Sequence, residues 1–292
     1  MGSNIALPRR KSSFRLDRPS GRSRSPYAGI LFALVGLVLL APLIAPHDPH
    51  AVDILNRLAL PSPEHLLGTD QMGRDVFSRL LYGARLTPIA AVTVVVLSAL
   101  VGTGIGSVAG YFGGPADRLL MRLCEGISVM PALAIAMIIA GVLGLGLNAV
   151  VLALAAVHWT EYARLIRNVV MVEKTKLYML AAEALGGKRL YIIRRHLLPN
   201  IAGPLLTIGA YSMSWAILAF AGLSFLGLGV EPGTPEWGRM IAESRSHLRS
   251  HPHLVLAPGL TIMAFVIATN LLGDTLGDRL RGAGTNLLKQ RR

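Results

Sequence analysis

Imidazole and carboxylate groups are the parts of this chain most able to bind ions or carry protons, and their spacing bounds what chemistry is available. His47-Asp48-Pro49-His50 and His251-Pro252-His253 each place two imidazoles a few residues apart, a pattern that could hold nickel or zinc. With His65 and His247 they all fall in polar stretches, so they are read as solvated loop residues and no metal site is assigned. Cys124 is the sole cysteine, which rules out an internal disulfide and a cysteine metal cluster. No nucleophile stands near a base in a recognisable pattern, so no catalytic residue and no cofactor is expected. His158, Glu161 and Asp274 differ from the rest, because they sit within or at the edge of apolar runs. Polar groups there are costly unless they face water or a partner. With the milder Ser212, Ser214, Thr269 and Asn270, His158 and Glu161 are the candidates to line an aqueous pathway.

Two glycine patterns need separating from nucleotide motifs. Gly104-Ile105-Gly106-Ser107-Val108-Ala109 fits a dinucleotide fingerprint on paper, but no strand precedes it. Gly102, Gly106, Gly110 and Gly114 recur every four residues, which lines one helix face with small residues for close packing against another membrane helix. Gly187-Lys188 is no phosphate loop, since Ala182 stands where a glycine is required and Arg189 where a Ser or Thr is required.

The elements that must position these groups are membrane helices. Of 292 residues, 52% are hydrophobic and 15% charged, against roughly 25% charged in soluble domains. Six runs approach the roughly 20 apolar residues that cross a hydrocarbon core: Tyr27–Ala45, Thr87–Phe112, Val129–Gly146, Ala149–Leu165, Ile201–Leu223 and Leu254–Leu272. The fold class expected is therefore all-α and polytopic, with six spans. Taking segments 1–26, 113–128, 161–200 and 277–292 as one face gathers 22 of the 29 Lys and Arg there, so the positive-inside bias puts both termini in the cytoplasm. The net charge of +13 then needs anionic lipid as a neighbour and no nucleic acid. Residues 1–26 are basic and rich in Ser, Pro and Gly, and are expected to be a disordered tail followed by a retained anchor. Residues 277–292 form a second basic tail.

Between the fourth and fifth spans lies a basic island, Tyr162–Asn200, too long for a turn and suited to docking. Leu177, Leu180, Ala181, Ala184 and Leu185 recur at helical spacing, so a short amphipathic helix should run to the Gly186-Gly187 break. A second helix should begin near Lys188 and end before Pro199.

Within this island Ala181-Ala182, Gly186 and Leu198-Pro199 resemble the cytoplasmic coupling loop of ATP-binding-cassette importer permeases, whose pattern is Glu-Ala-Ala, three residues, Gly, nine residues, Ile, any residue, Leu-Pro. Leu180 stands at the glutamate position, with Glu183 nearly one turn on, and His196 stands at the isoleucine position. Residues 65–85, with the core Leu67-Gly68-Thr69-Asp70 and Gly73-Arg74-Asp75, resemble the second permease of dipeptide, oligopeptide and nickel importers. So do stretches 110–122, 223–238 and 270–274. From the residues themselves, Asp70, Arg74 and Asp75 can pair and cap the helix entering the membrane, as a latch on the outer face. The resemblance implies coupling through Leu177, Leu180, Ala181, Ala182, Glu183 and Gly186, with Leu198 and Pro199 setting the return to the membrane. It implies as partners a second permease, one or two ATPase subunits and a periplasmic or lipid-anchored solute-binding protein. The cargo it implies is a short peptide or a nickel or other metal chelate. A stand-alone secondary transporter or channel is the alternative, which would usually show charged groups at mid-membrane and two related halves.

Overall fold

A computed structural model describes Gly36, Leu40, Ala41 and residues 43–289, with side chains given except at 189, 190 and from 278 onward. The basic residues 1–26 and most of the expected first span lie outside the described residues. The described chain is helical: α1 Val76–Phe112, α2 Gly114–Val129, α3 Ala132–Leu143, α4 Leu147–Lys174, α5 Leu177–Ala184, α6 Arg189–Ile192, α7 Leu198–Phe225, α8 Trp237–Ser244 and α9 His253–Lys289. Helices α1, α4, α7 with the turn before it, and α9 as far as Gly277 are long and apolar enough to cross a membrane.

The third expected span, Val129–Gly146, takes a different form. Pro131 disfavours helical backbone at the residue before it, Met130 is extended and ends α2, and the chain bends by 90° between α2 and α3. The twelve residues of α3 extend about 18 Å, short of the roughly 30 Å of a hydrocarbon core. Among the described residues there are thus four full spans, or five if the bent pair counts as one.

Helices α1 and α4 pack in parallel, and glycines set their distance. A Cβ added at Gly102 would lie 2.4 Å from the Trp159 carbonyl oxygen, at Gly106 2.4 Å from that of Ala163, and at Gly110 2.7 Å from that of Arg167. The expected small-residue face is therefore real at three positions. Gly114 does not belong to it: a Cβ there meets nothing among the described residues, and with Gly113 it makes the positive-φ turn into α2. Since the obstructing atoms at Gly106 are backbone, Gly106→Ala should cost about 1–3 kcal/mol. Thermal unfolding in detergent reads this, with the exposed Gly104, where a Cβ meets nothing among the described residues, as the control.

The parallel register gives the molecule two distinct ends. At one lie the N-termini of α1 and α4, the loop before α1, and residues 226–251, joined by Gly146 N–H donating to the Gly229 carbonyl at 3.0 Å. At the other lie the C-termini of α1 and α4, where Lys174 donates to the Tyr111 carbonyl, and the segment 175–200. The island thus lies at the opposite end of the molecule from residues 65–85. Its first part, Tyr162–Lys174, is a continuation of α4.

Candidate docking surface

At the basic end, α4 stops at Lys174, and a two-residue turn leads into α5. Glu173 is buried, pairs with Lys176, and accepts a 2.5 Å hydrogen bond from the Tyr178 hydroxyl. Asn200 Nδ2 donates to the same Tyr178 oxygen at 3.1 Å, so one phenol ties the start of α5 to both neighbouring spans. Burial, and then Glu173 as acceptor, push the Tyr178 hydroxyl up to about 12. Tyr178→Phe should loosen this anchor by about 1–2 kcal/mol, and limited proteolysis should find residues 175–188 cut faster than in the parent chain.

The far end of α5 closes in a Schellman turn. Gly187 N–H donates to the Ala182 carbonyl and Gly186 N–H to the Glu183 carbonyl, both at 3.0 Å, with Gly186 at φ +77°. The turn explains the glycine pair: Gly186 supplies the left-handed conformation, and a Cβ at Gly187 would come 2.7 Å from the Ala182 carbonyl oxygen.

With both ends fixed, α5 turns its apolar stripe outward. Met179 is its buried anchor and Ala182 is half-buried. Leu177 is 87% exposed, Leu180 52% and Leu185 88%, with Ala181, Glu183 and Ala184 exposed among them. Beyond the Gly186-Gly187 turn, an open cleft of about 450 Å³ is lined by Lys188, Tyr191, Arg194 and Arg195. His196 is half-buried, its ring 6.1 Å from that of Tyr178 and 5.8 Å from that of Tyr191.

The second helix of the island does not end before Pro199. Residues Ile193–Leu197 form a π-helical turn, in which Leu198 N–H reaches back to the Ile193 carbonyl, and the chain runs on into α7 with Pro199 in its first turn. The wider turn accommodates a residue with no N–H, a position proline tolerates. Leu198 and Pro199 are both exposed.

The polar residues expected within spans come together in two interhelical groups. His158, buried in α4, meets Ser212 Oγ on α7 at 3.0 Å and stacks on Trp215 with ring centroids 4.0 Å apart. Ser214 on α7 meets Thr269 Oγ1 at 2.7 Å and Asn270 Oδ1 at 2.9 Å on α9. Glu161 joins neither group by a hydrogen bond; its carboxylate stands 3.9 Å from His158 Nδ1, and its side chain is 55% exposed. Asp274 accepts from the Tyr211 hydroxyl.

At the opposite end, the expected pairing of Asp70 with Arg74 and capping by Asp75 are present: Arg74 Nε lies 2.7 Å from Asp70 Oδ2, and Asp75 accepts from Ser78 N–H at 2.7 Å. Sequence reading missed the larger cluster around them. Glu243 on α8 lies 2.9 Å from Arg74, 3.2 Å from Arg79 and 3.1 Å from Arg239, and accepts from Gly233 N–H. Burial acts to raise the Glu243 carboxyl, but the Gly233 N–H and these guanidiniums hold it below its usual range. Nearby, Glu236 caps α8 and also accepts from the Thr87 hydroxyl on α1. Burial raises its carboxyl despite those donors. Thus residues 65–85 and 223–244 form one ion-paired latch.

Residues 102–282 match the family described as binding-protein-dependent transport system inner membrane component. The chain is 37% identical over 248 residues to the glutathione transport system permease protein of Pectobacterium atrosepticum, covering 85% of this chain and 82% of that one. It is 40% identical over 266 residues to the di/tripeptide transport system permease protein of Pseudomonas aeruginosa, covering 88% of each. To the nickel transport system permease protein of Escherichia coli it is 36% identical over 252 residues, covering 86% of this chain and 91% of that one.

Proposed function

Because this chain belongs to the family of binding-protein-dependent transport system inner membrane components, we propose that it forms half of the translocation pathway of an ATP-driven importer and takes its driving force through α5. It is a permease component and not an enzyme; ATP hydrolysis falls to a separate subunit. The observation that carries the coupling role is the outward apolar face of Leu177, Leu180, Ala181, Ala184 and Leu185 on a helix fixed at both ends. A face so exposed in a single chain is suited to an ATPase groove. Leu180, at the position of the family glutamate, adds apolar area to that contact, and Glu183 supplies a carboxylate one turn on. Leu198 and Pro199 set the angle at which the π turn hands motion to α7.

The remaining assignments follow from this role. The basic end is cytoplasmic, with both termini on that side. A second permease completes a heterodimer, one or two ATPase subunits engage the cytoplasmic face, anionic lipids surround it, and a periplasmic or lipid-anchored solute-binding protein meets the latch end. Glu161 is the exposed member of the polar set and is the first candidate to face the pathway. His158, Ser212, Ser214, Thr269 and Asn270 act as ties that exchange as the bundle rocks between outward-open and inward-open states. The relatives' names give glutathione, di- and tripeptides and nickel as cargo. A short peptide is the first cargo to test, and a nickel or other metal chelate the second.

Replacing Gly186 by Val places a β-branched residue in left-handed backbone at a cost of at least about 1–2 kcal/mol, which unwinds the C-terminal turn of α5. In the importer assembled in nanodiscs, Gly186→Val should lower transport at least about tenfold (~1.4 kcal/mol) and abolish stimulation of ATP hydrolysis by the binding protein, while the subunits still co-purify. Survival of both transport and stimulation would remove the coupling role from this loop.

A further inference from the structure

We propose that His47, His65 and Asp75 form a binding site for a divalent transition-metal ion of the zinc or nickel class, at the latch end of the molecule. This goes beyond the transport reading and is independent of the cargo. The three ligand atoms lie within 4.8 Å of one another. His65 Nδ1 is 2.9 Å and His47 Nδ1 3.9 Å from Asp75 Oδ1, and the two imidazole rings are 4.7 Å apart. Metal–ligand bonds of about 2.0–2.1 Å in tetrahedral geometry require ligand atoms about 3.4 Å apart, and the two carboxylate edges straddle that value.

The surroundings hold the three groups in place. His47 N–H donates to Ser78 Oγ at 3.1 Å, and Ser78 N–H donates to Asp75 Oδ2 at 2.7 Å, so the second carboxylate oxygen is fixed and Oδ1 is left to the imidazoles. His65 N–H donates to Ser62 Oγ, and Ser62 N–H donates back to the His65 carbonyl. Against this order, His47 Nδ1 is buried without a hydrogen-bond partner among the described residues. An unpaired buried nitrogen is costly, and an ion between it and Asp75 would satisfy it. Both rings would bind as neutral imidazoles through Nδ1 with the proton on Nε2. His47 keeps 37% of its side chain exposed, which leaves a solvent side for a water ligand. Two imidazoles and one carboxylate favour zinc or nickel over the all-oxygen shells of calcium and magnesium. The ion would clip the end of the first apolar segment, the loop and the cap of α1 together.

The test is calorimetric titration of zinc chloride, and separately nickel chloride, into the assembled importer purified without a polyhistidine tag. We expect one saturable site per chain, weakened at least tenfold by His47→Ala and by His65→Ala and retained in His50→Ala and His251→Ala. Asp75→Asn, which keeps a capping oxygen, should also weaken binding while the melting temperature without metal stays within the parent's range. In a cobalt-loaded sample, the visible d–d bands of a tetrahedral site should disappear in His65→Ala. The proposal is overturned by the absence of saturable binding, by adventitious binding that His47→Ala and His65→Ala leave unchanged, or by loss of binding in His251→Ala.

Discussion

Glu243→Ala is expected to destabilise this protein by about 3–5 kcal/mol, because it removes the carboxylate shared by Arg74, Arg79 and Arg239 and leaves Arg74 and Arg79 to Asp70. Arg79 is 1% exposed and cannot turn to water to relieve the repulsion. The loss should appear as a large drop in melting temperature of the detergent-solubilised chain. Replacing the pair together, Arg79→Met with Glu243→Leu, should lose less than the sum of the single changes, since buried ion pairs return little beyond their desolvation cost. The pH dependence has a definite sign. A carboxyl held below its ordinary value near 4.5 contributes stability that is complete above that value and is lost as pH falls through the depressed one. Melting should therefore be insensitive to this group between about pH 6 and pH 8 and should fall in acid, and the acid loss should be smaller in the double variant. An unchanged melting temperature in Glu243→Ala would remove the latch from the account.

The second large effect concerns association. Leu180→Arg combined with Leu185→Arg adds two charges to the outward face of α5, at positions 52% and 88% exposed. The isolated chain should lose about 1 kcal/mol or less, because both side chains are exposed and Leu185, the C-cap of α5, serves that cap through its backbone. Binding of the ATPase should weaken by about 2–4 kcal/mol, roughly 30-fold to 1,000-fold, as expected for charge forced into the apolar centre of an interface. Quantitative co-purification against the parent chain measures this. Equal recovery of ATPase would place the contact elsewhere.

Local signals carried much of this architecture, and long-range ones did not. The Gly186-Gly187 break was readable because a helix that ends in left-handed backbone selects glycine, and the stripe from Leu177 to Leu185 was readable from helical spacing. That the stripe faces outward is a tertiary fact. Asp70 and Arg74 are four residues apart and their pairing is a local pattern. Glu243 lies more than 160 residues further on, and nothing in its neighbourhood names its partners. Proline acts differently at two positions. At Pro199, where the helix rules expect an end, a π turn carries the chain past it. Pro131 stands at the start of an apolar run, where the chain turns by 90° between α2 and α3. Hydropathy registers apolar content but not a break in backbone direction. Sequence proximity pairs His47 with His50, whereas the fold brings His47 to His65 and Asp75.

Site-directed cross-linking can show whether α5 docks on the ATPase. Cys124 is the sole cysteine and is buried, so a cysteine introduced at the surface is the reactive one on this chain. Leu180→Cys and Leu185→Cys, treated with a short bifunctional thiol-to-amine reagent in the assembled importer, should join this chain to the ATPase subunit. The buried Met179→Cys and the exposed Leu66→Cys at the latch end should not. A product from Leu180→Cys and Leu185→Cys alone is the predicted result. An importer that hydrolyses ATP normally but gives no ATPase product from either position, or gives as much from Leu66→Cys, would contradict the account.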